Sequence, residues 1–467
     1  MSPRRCIAAC ALPAALLLSS GLPARGADWS SVRGIGMGRT AAAAGRGLEA
    51  VGINPALLAT EHEATVTVGI APVSVHFGSD ILTVGSYNRY FTGVGTDTGT
   101  VAYYLTDADK ASILEQFGDA PTGMTYADAD AGLLGLSFHL GEAGSFALTV
   151  SERAAAFADI PRDYAEFLFF GNPPGSAFDF SATDLKASWL REYGLTYARS
   201  LPAPEFLTEL YAGATLKLVS GFGYAEVLGF TTTLATDDAG VLSGDVHFRA
   251  RTAGAKILND GLGPHLEPFP KASGSGVGAD LGVSGVVDGW LTVALSVTDI
   301  GSVAWSGDVE ERSADTSYVI DNPLDEGQRD FIENSLTGEV RKGEAFQTSL
   351  PTTLRVGAAM AVHTLAAGGD FPGELVVAAE YQQGFANVPG ATTTPRGALG
   401  AEYRPIPALP LRAGVSVGGY DGLAFALGFG LHAGPLEFDV ATSNVTSLFA
   451  GDDMAHGSAA VGLRMRF

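Results

Sequence analysis

The sequence predicts an all-β protein: a transmembrane antiparallel β-barrel of about fourteen strands, with sixteen the other count it allows. Three observations predict it. Hydrophobic residues make up 46% of the 467 positions, yet beyond the N-terminus no uncharged apolar run approaches the ~18 residues that a spanning helix requires. From about residue 131 onward apolar residues alternate with small or polar ones, the period of a strand with one wet and one greasy face. Connections between those strands alternate between short and long, as they do when one end of a barrel carries turns and the other carries loops.

Residues 1–26 read as an export signal. Arg4 and Arg5 form a basic end, residues 6–18 an uncharged core, and Ala24-Arg25-Gly26 a small-x-small cleavage site. Cys6 and Cys10, the two cysteines of the chain, both lie inside it. The processed chain therefore has no thiol for a disulfide, a metal or a nucleophile. The net charge of −23 becomes more negative once Arg4, Arg5 and Arg25 are removed. A chain this acidic repels phosphates, which excludes nucleic acid as a partner.

Residues 27–62 behave differently from the rest. The stretch "RGIGMGRTAAAAGRGLEAVGINPALLA" (33–59) is Gly- and Ala-rich and does not alternate. "RTAAAAGRGLEAV" suggests a short helix. Asn54 can cap a second one by accepting a backbone N–H, with Pro55 in the first turn, where its missing donor is harmless, and Ala56 following. A compact apolar element ahead of the first strand is expected to tuck into the lumen as a plug. Residues 63–467 then form the barrel.

Clear alternation marks Leu134 to Leu140, Phe146 to Val150, Leu291 to Val297, Leu411 to Val417, Leu423 to Leu431 and Leu436 to Val440. Two strands carry a fault: Pro72 interrupts "TVTVGIAPVSVHF", and Arg191 falls on the apolar register of 185–197. A bulge is expected at each, since one extra residue re-phases a strand. Short connections fall at 141–144, 286–289, 404–410 and 432–435; long ones fall at 93–130, 159–182, 221–273, 306–349 and 445–456. The strand count turns on 221–273, which gives fourteen if its hairpin stands outside the barrel and sixteen if it crosses.

Short helices are expected in the long extracellular loops. "LTDADKASILEQFG" has Thr106 as cap, Asp109 three residues on, Ile113, Leu114 and Phe117 on one side, and Gly118 as stop; 161–173 and 325–336 are similar. The segment 306–349 is rich in Asp and Glu, which suits a solvated surface or, more sharply, divalent-cation bridging to lipopolysaccharide. On the lumenal registers several strands carry small residues: Gly276, Gly278 and Gly282; Gly414, Ser416 and Gly418; Ala424, Ala426, Gly428 and Gly430. Such faces leave room for a plug or a ligand. Glu380, Glu402, Glu437 and Asp439, with Arg404, Arg412, Arg464 and Arg466, share those registers and are expected to line and brace a wet interior.

Catalytic chemistry is not expected. The eight histidines are scattered and no two stand at metal-ligand spacing. There is no G-x-S-x-G elbow, "GIGMG" and "GSGSGVG" miss the dinucleotide spacing, and "DADAG" lacks the further ligands of a calcium loop. No cofactor and no metal are expected.

Three stretches together resemble barrels related to the long-chain fatty acid transporter (FadL-like). They are the segment 33–59 with its Asn54-Pro55-Ala56 motif, "GVGADLGVSG…WLTVALSVTDIGSVAW" (276–305), and "SLPTTLRVGAAM" (349–360). They are still more similar to a related bacterial outer-membrane family of uncharacterised function. The resemblance implies a fourteen-stranded barrel, an N-terminal hatch, an outer-membrane location and passage of hydrophobic small molecules. The alternative, also implied by relatives of this build, is a binding or assembly partner for exported proteins. The terminal "GLRMRF" resembles the signal read by the barrel-assembly machinery, carried by Gly462, Met465 and Phe467. Implied partners are thus the lipid bilayer, lipopolysaccharide, that machinery and hydrophobic small molecules. None of the superfamily's substrate-binding residues can be matched to a position in this chain.

Overall fold

The computed structural model describes residues 31–61, 64–92, 94–96, 99–101, 103–254, 270–322, 325–365 and 371–467. The expected signal, 1–26, lies outside these residues. Fourteen strands make the wall: β1 Val66–Ser79, β2 Thr122–His139, β3 Ser145–Pro161, β4 Asp184–Leu201, β5 Glu209–Thr236, β6 Gly274–Val287 and β7 Leu291–Trp305, then β8 Thr353–Ala361, β9 Glu374–Gly384, β10 Arg396–Arg404, β11 Leu411–Gly418, β12 Leu423–Ala433, β13 Leu436–Thr442 and β14 His456–Arg466. Each pairs antiparallel with its neighbours in sequence, and β14 returns to pair with β1, Thr67 opposite Arg466 and Gly78 opposite His456. Closure leaves no sheet edge around the wall.

The count is fourteen because the 221–273 excursion stands outside the ring. β5 runs 28 residues, far beyond the ~9–11 that a tilted strand needs to cross a bilayer. Its lower part pairs with β6, Glu209 opposite Val286 through to Gly221 opposite Gly274. Its upper part forms a hairpin with Leu242–Ala253, which pairs in turn with Glu310–Ile320. These strands continue the same sheet past the rim without joining the ring.

Alternation in the sequence becomes two faces of the wall. Leu295, Phe425 and Phe438 point outward and are 46%, 45% and 37% exposed, whereas Ala294, Ser296, Ala424, Ala426, Glu437 and Asp439 between them are buried. Among the described residues no helix is long and apolar enough to cross a membrane.

One expected bulge is present where it was expected; the other lies on the neighbouring strand. β1 slips against β14 between Ile70 and Val73, around Pro72, and Ala71 there takes a left-handed φ of 43°. Opposite it, β2 slips against β3 between Gly132 and Leu134. In place of a bulge within 185–197, β5 carries the extra residue, Phe222, opposite Trp189 and Leu190, while β4 keeps an unbroken register with β3. Arg191 keeps its register and is buried by pairing with Glu152 directly opposite on β3 and by the bulged Phe222, whose ring centroid lies 5.1 Å from its guanidinium.

At the end of the barrel where the chain termini of the wall meet, most connections are short, such as 140–144, 288–290 and 434–435, with 362–373 the longest. The opposite end carries the long loops, with one exception, the four residues 419–422 between β11 and β12. The expected loop helices form at Asp107–Glu115, Arg162–Phe170 and Glu326–Thr337. The first has the reciprocal Thr106–Asp109 cap, and Ile113, Leu114 and Phe117 are buried beneath it. One expectation needs correction. "RTAAAAGRGLEAV" is not a continuous helix: only the 3-10 turn Gly47–Ala50 forms, and the α-helical turn lies upstream at Val32–Gly36. Gly47 takes a φ of 56°, a conformation that ends right-handed helix and that glycine adopts at little cost.

Candidate functional site

The candidate site lies where residues 31–61, the segment that fits a plug, pack against the buried face of the wall. The segment's fold is set by two capped turns. The Ser31 hydroxyl accepts from the Gly34 N–H at 2.7 Å and starts Val32–Gly36. The Asn54 side-chain oxygen accepts from the Ala56 N–H at 3.1 Å and starts the 3-10 turn Pro55–Thr60. The same Asn54 donates its amide to the Ala42 carbonyl at 2.9 Å, tying the two halves of the segment together. Asn54, Pro55 and Ala56 are all buried against the wall. Nearly every described residue of the segment is buried, with Arg46 an exposed one. This arrangement fits a plug.

Glycines in the wall make the close approach possible. A Cβ on Gly400 would lie 2.1 Å from the Met37 carbonyl oxygen, and one on Gly414 would lie 2.3 Å from the Met37 carbonyl carbon. On Gly282 it would meet the Asn54 side-chain oxygen at 2.0 Å, and on Gly213 the Pro55 carbonyl at 2.5 Å. Gly36 packs against Gly428 backbone to backbone. The small-residue faces thus split by role: Gly276 and Gly278, expected to share it, instead adjoin the Ser302 carbonyl and the Leu350 side chain.

The charged residues on lumenal registers also face inward, and most belong to one network centred on the plug. Glu402 accepts from Arg33 Nε of the plug at 2.8 Å, from Arg412 Nε at 2.7 Å and from Arg404 Nε at 3.1 Å. Arg412 Nη1 donates to Asp439 at 2.6 Å, and Arg464 Nη2 reaches Asp439 at 3.1 Å and Glu437 at 3.2 Å. Glu49 of the plug completes the circuit, 3.1 Å from Arg33 and bonded to Arg464. Burial alone would raise the Glu49 carboxyl, but Arg464 and Arg33 hold it down to about 2. Glu380 stands apart: it accepts the Ala42 N–H at 2.8 Å and faces Arg355 at 3.7 Å.

Sequence reasoning missed the plug's half of this network, Arg33 and Glu49. Their signal was their isolation in a segment otherwise built of Gly, Ala and apolar residues. It also missed a second buried cluster on the opposite wall. There Lys217 contacts Asp280 at 2.9 Å and Asp299, and Arg153 contacts Asp299 at 3.2 Å and Glu192.

The residues of the terminal motif lie on the seam. Gly462 faces Val32 of the plug, Met465 pairs across to Val68 and Leu436, and the Phe467 side chain is exposed. The Phe467 N–H donates to the Val66 carbonyl at 2.8 Å, and its carbonyl accepts from Thr65 at 2.7 Å.

Between plug and wall, at the Pro72 bulge, lies a small cavity of about 30 Å³, partly open to solvent. Val32, Leu48, Pro72 and Leu463, with several wall glycines, supply its apolar lining; Arg33, Glu49, Asp439 and Arg464 supply the polar side, already engaged with one another.

In overall shape the chain is similar to the toluene transporter TbuX of Ralstonia pickettii, at 13% identity, 96% of this chain, 99% of that one and a TM-score of 0.44. It is similar to the toluene transporter TodX of Pseudomonas putida at 12% identity, 92% and 98% coverage and a TM-score of 0.46. A FadL homologue of Pseudomonas aeruginosa gives 14% identity, 96% and 99% coverage and a TM-score of 0.42. No curated protein matches the sequence. Residues 55–443 match the family of unknown function DUF5723, and the chain belongs to that family.

Proposed function

We propose that this protein is an outer-membrane barrel that admits hydrophobic small molecules through its plugged lumen. The observation that carries the reading is the cavity at the Pro72 bulge. There the ladder is interrupted on both sides: β1 has no register with β2 or β14 at Ala71 and Pro72. As it stands the cavity, about 30 Å³, holds no more than a water or two, so a ligand enters along its apolar lining only when residues 31–61 shift. Because the charges on its inner side are already paired, a neutral hydrophobic molecule leaves none of them stranded, whereas an ion would need a counter-charge of its own.

The outward apolar belt supports an acyl-chain environment, with Leu295, Phe425 and Phe438 exposed around the wall. The Asn54-Pro55-Ala56 turn then seats the gate, the Arg33–Glu402 network braces it, and Gly462, Met465 and Phe467 address the chain to the assembly machinery. Lipopolysaccharide meets the acidic loops.

The test is uptake. Cells lacking the gene are expected to lose entry of a hydrophobic substrate while keeping sugars and ions, and detergent-purified protein should carry a bound apolar compound identifiable by mass spectrometry. Undiminished uptake across a panel of alkanes, fatty acids and arenes would rule the proposal out.

A further inference from the structure

Between β12 and β14 the wall lacks half a strand. β13 is 7 residues long, short of the ~9–11 that cross a bilayer, while its two neighbours each run 11. Its ladder with β12 stops at Leu427 opposite Thr442, and its ladder with β14 stops at Ala441 opposite Ala460. Above that level 423–426 of β12 keep β11 as their strand partner, and 456–459 of β14 keep β1.

The chain leaving β13 fills the gap. The Ser443 N–H donates to Ser458 Oγ at 2.6 Å, and its hydroxyl donates to the same oxygen at 2.8 Å. The Val445 N–H donates to the Phe425 carbonyl on β12 at 2.6 Å. A helical turn, Ser447–Ala450, follows, in which the Ser447, Leu448 and Phe449 N–H groups donate to the Asn444, Val445 and Thr446 carbonyls. Ser447 is buried, whereas Leu448 is 66% and Phe449 85% exposed.

This turn begins beside the outward belt, since Val445 is bonded to Phe425, and Leu423 and Phe425 of that belt are themselves exposed. Two large apolar side chains continuing an apolar band mark a membrane contact rather than a wet loop, and aromatic residues edge such bands where they reach the head groups. Backbone lying in hydrocarbon must satisfy its own hydrogen bonds, which the turn does. The stretch ends at Asp452 and Asp453, both exposed, whose charges keep to the polar side of the boundary.

We propose that 443–450 complete the wall above β13, with Leu448 and Phe449 sunk among the acyl chains of the outer leaflet. The sequence pattern assigns most of this stretch to an extracellular loop; the geometry makes it a lipid-binding surface. The inference rests on the bilayer reading of the outward belt, and its test separates the two.

Cys6 and Cys10 lie in the expected signal, so one introduced cysteine can carry a nitroxide without competition. The processed chain is folded into phosphatidylcholine vesicles as Phe449→Cys or Leu448→Cys. The references are Phe425→Cys on the belt and Asp238→Cys at the exposed tip of the hairpin past the rim. Collisions of the nitroxide with oxygen, which concentrates among acyl chains, are compared with collisions with a water-soluble nickel chelate. The oxygen-to-nickel ratio at 449 should lie close to that at 425 and well above that at 238. A ratio at 449 as low as at 238, with 425 high, overturns the proposal and leaves the bilayer standing. A low ratio at 425 as well overturns both. If Phe449→Cys does not fold, Leu448→Cys decides by the same comparison.

Discussion

Arg33 is a buried cation between two carboxylates, Glu49 and Glu402, with all three nearly inaccessible to water. Removing one member of such a set leaves an uncompensated charge, and Arg33→Ala should destabilise the folded barrel by about 3–5 kcal/mol, read as a lower denaturant midpoint. Arg33→Ala combined with Glu402→Gln should recover part of that loss, because the orphaned charge goes too. Acid acts on the same network. The folded-state value of Glu49 is about 2 against an ordinary 4.5, so its ionised form is the stabilising one. Its contribution is complete above about pH 4.5 and is lost as the pH falls towards 2; proteolysis of the plug should accelerate over that window in the wild type and lose that acid step in Glu49→Gln. Gly400 is a different case, since it excludes atoms rather than attracting them. Gly400→Val puts a branched side chain where the Met37 carbonyl lies, and overpacking of this kind costs about 1–3 kcal/mol. Such residues were only half legible in the sequence. A glycine on a lumenal register announces room, but which neighbour uses the room, plug or adjacent strand, is a tertiary fact. Hence Gly414 and Gly282 serve the plug and Gly276 does not.

Among the elements, β1 and β14 carry the most information. Pro72 cannot donate to the ladder, so a fault in β1 was readable from its sequence. The misplaced Arg191 in β4 was readable too, though the extra residue lies across from it in β5. The answering slip in β2 also had a signal that went unused: Leu133 and Leu134 are adjacent leucines, both exposed, and Leu133 is the extra residue. Ala71 bears the strain of the fault at a φ of 43°. Ala71→Gly should stabilise the barrel by about 0.5–1 kcal/mol, measured by urea unfolding; a loss of stability would show that the methyl packs usefully there. The plug's helix was misjudged because a run of alanines argues for helix while the glycines that end it act through backbone freedom, which only neighbours decide. At the other terminus, deleting Phe467 removes the backbone bonds to Thr65 and Val66. The truncated chain should accumulate unassembled in cells, seen as loss of the heat-modifiable folded band on gels; assembly at the wild-type level would sink the reading of this strand as an address.

For the whole molecule, the sequence carried the architecture because a barrel of this kind is written in a period of two and in the lengths of its connections. What it could not settle by pattern was the fate of 221–273. A strand that crosses a bilayer and one that rises above it alternate alike, and the difference lies in whether the partner strand also belongs to the ring. The outward belt is the feature to test at this scale. Leu295→Arg should lower the stability of the barrel folded into vesicles by about 2–4 kcal/mol, and tryptophan placed at Phe425 should be quenched by brominated acyl chains. An unquenched probe would remove the bilayer from the account.

The seam has a consequence for the order of events in biogenesis. Val32 lies against Gly462, and Leu48 against Gly69 and Gly135, so the N-terminal segment rests directly behind the join between the first strand and the last. Synthesis delivers these pieces at opposite moments. Once the ring zips shut, a segment of this bulk has no lateral way in, so the N-terminal segment must already be lying in the open half-cylinder when the final strand docks. The cork is in place before the bottle is finished, and any condition that slows its seating should stall the closing step rather than yield an empty tube.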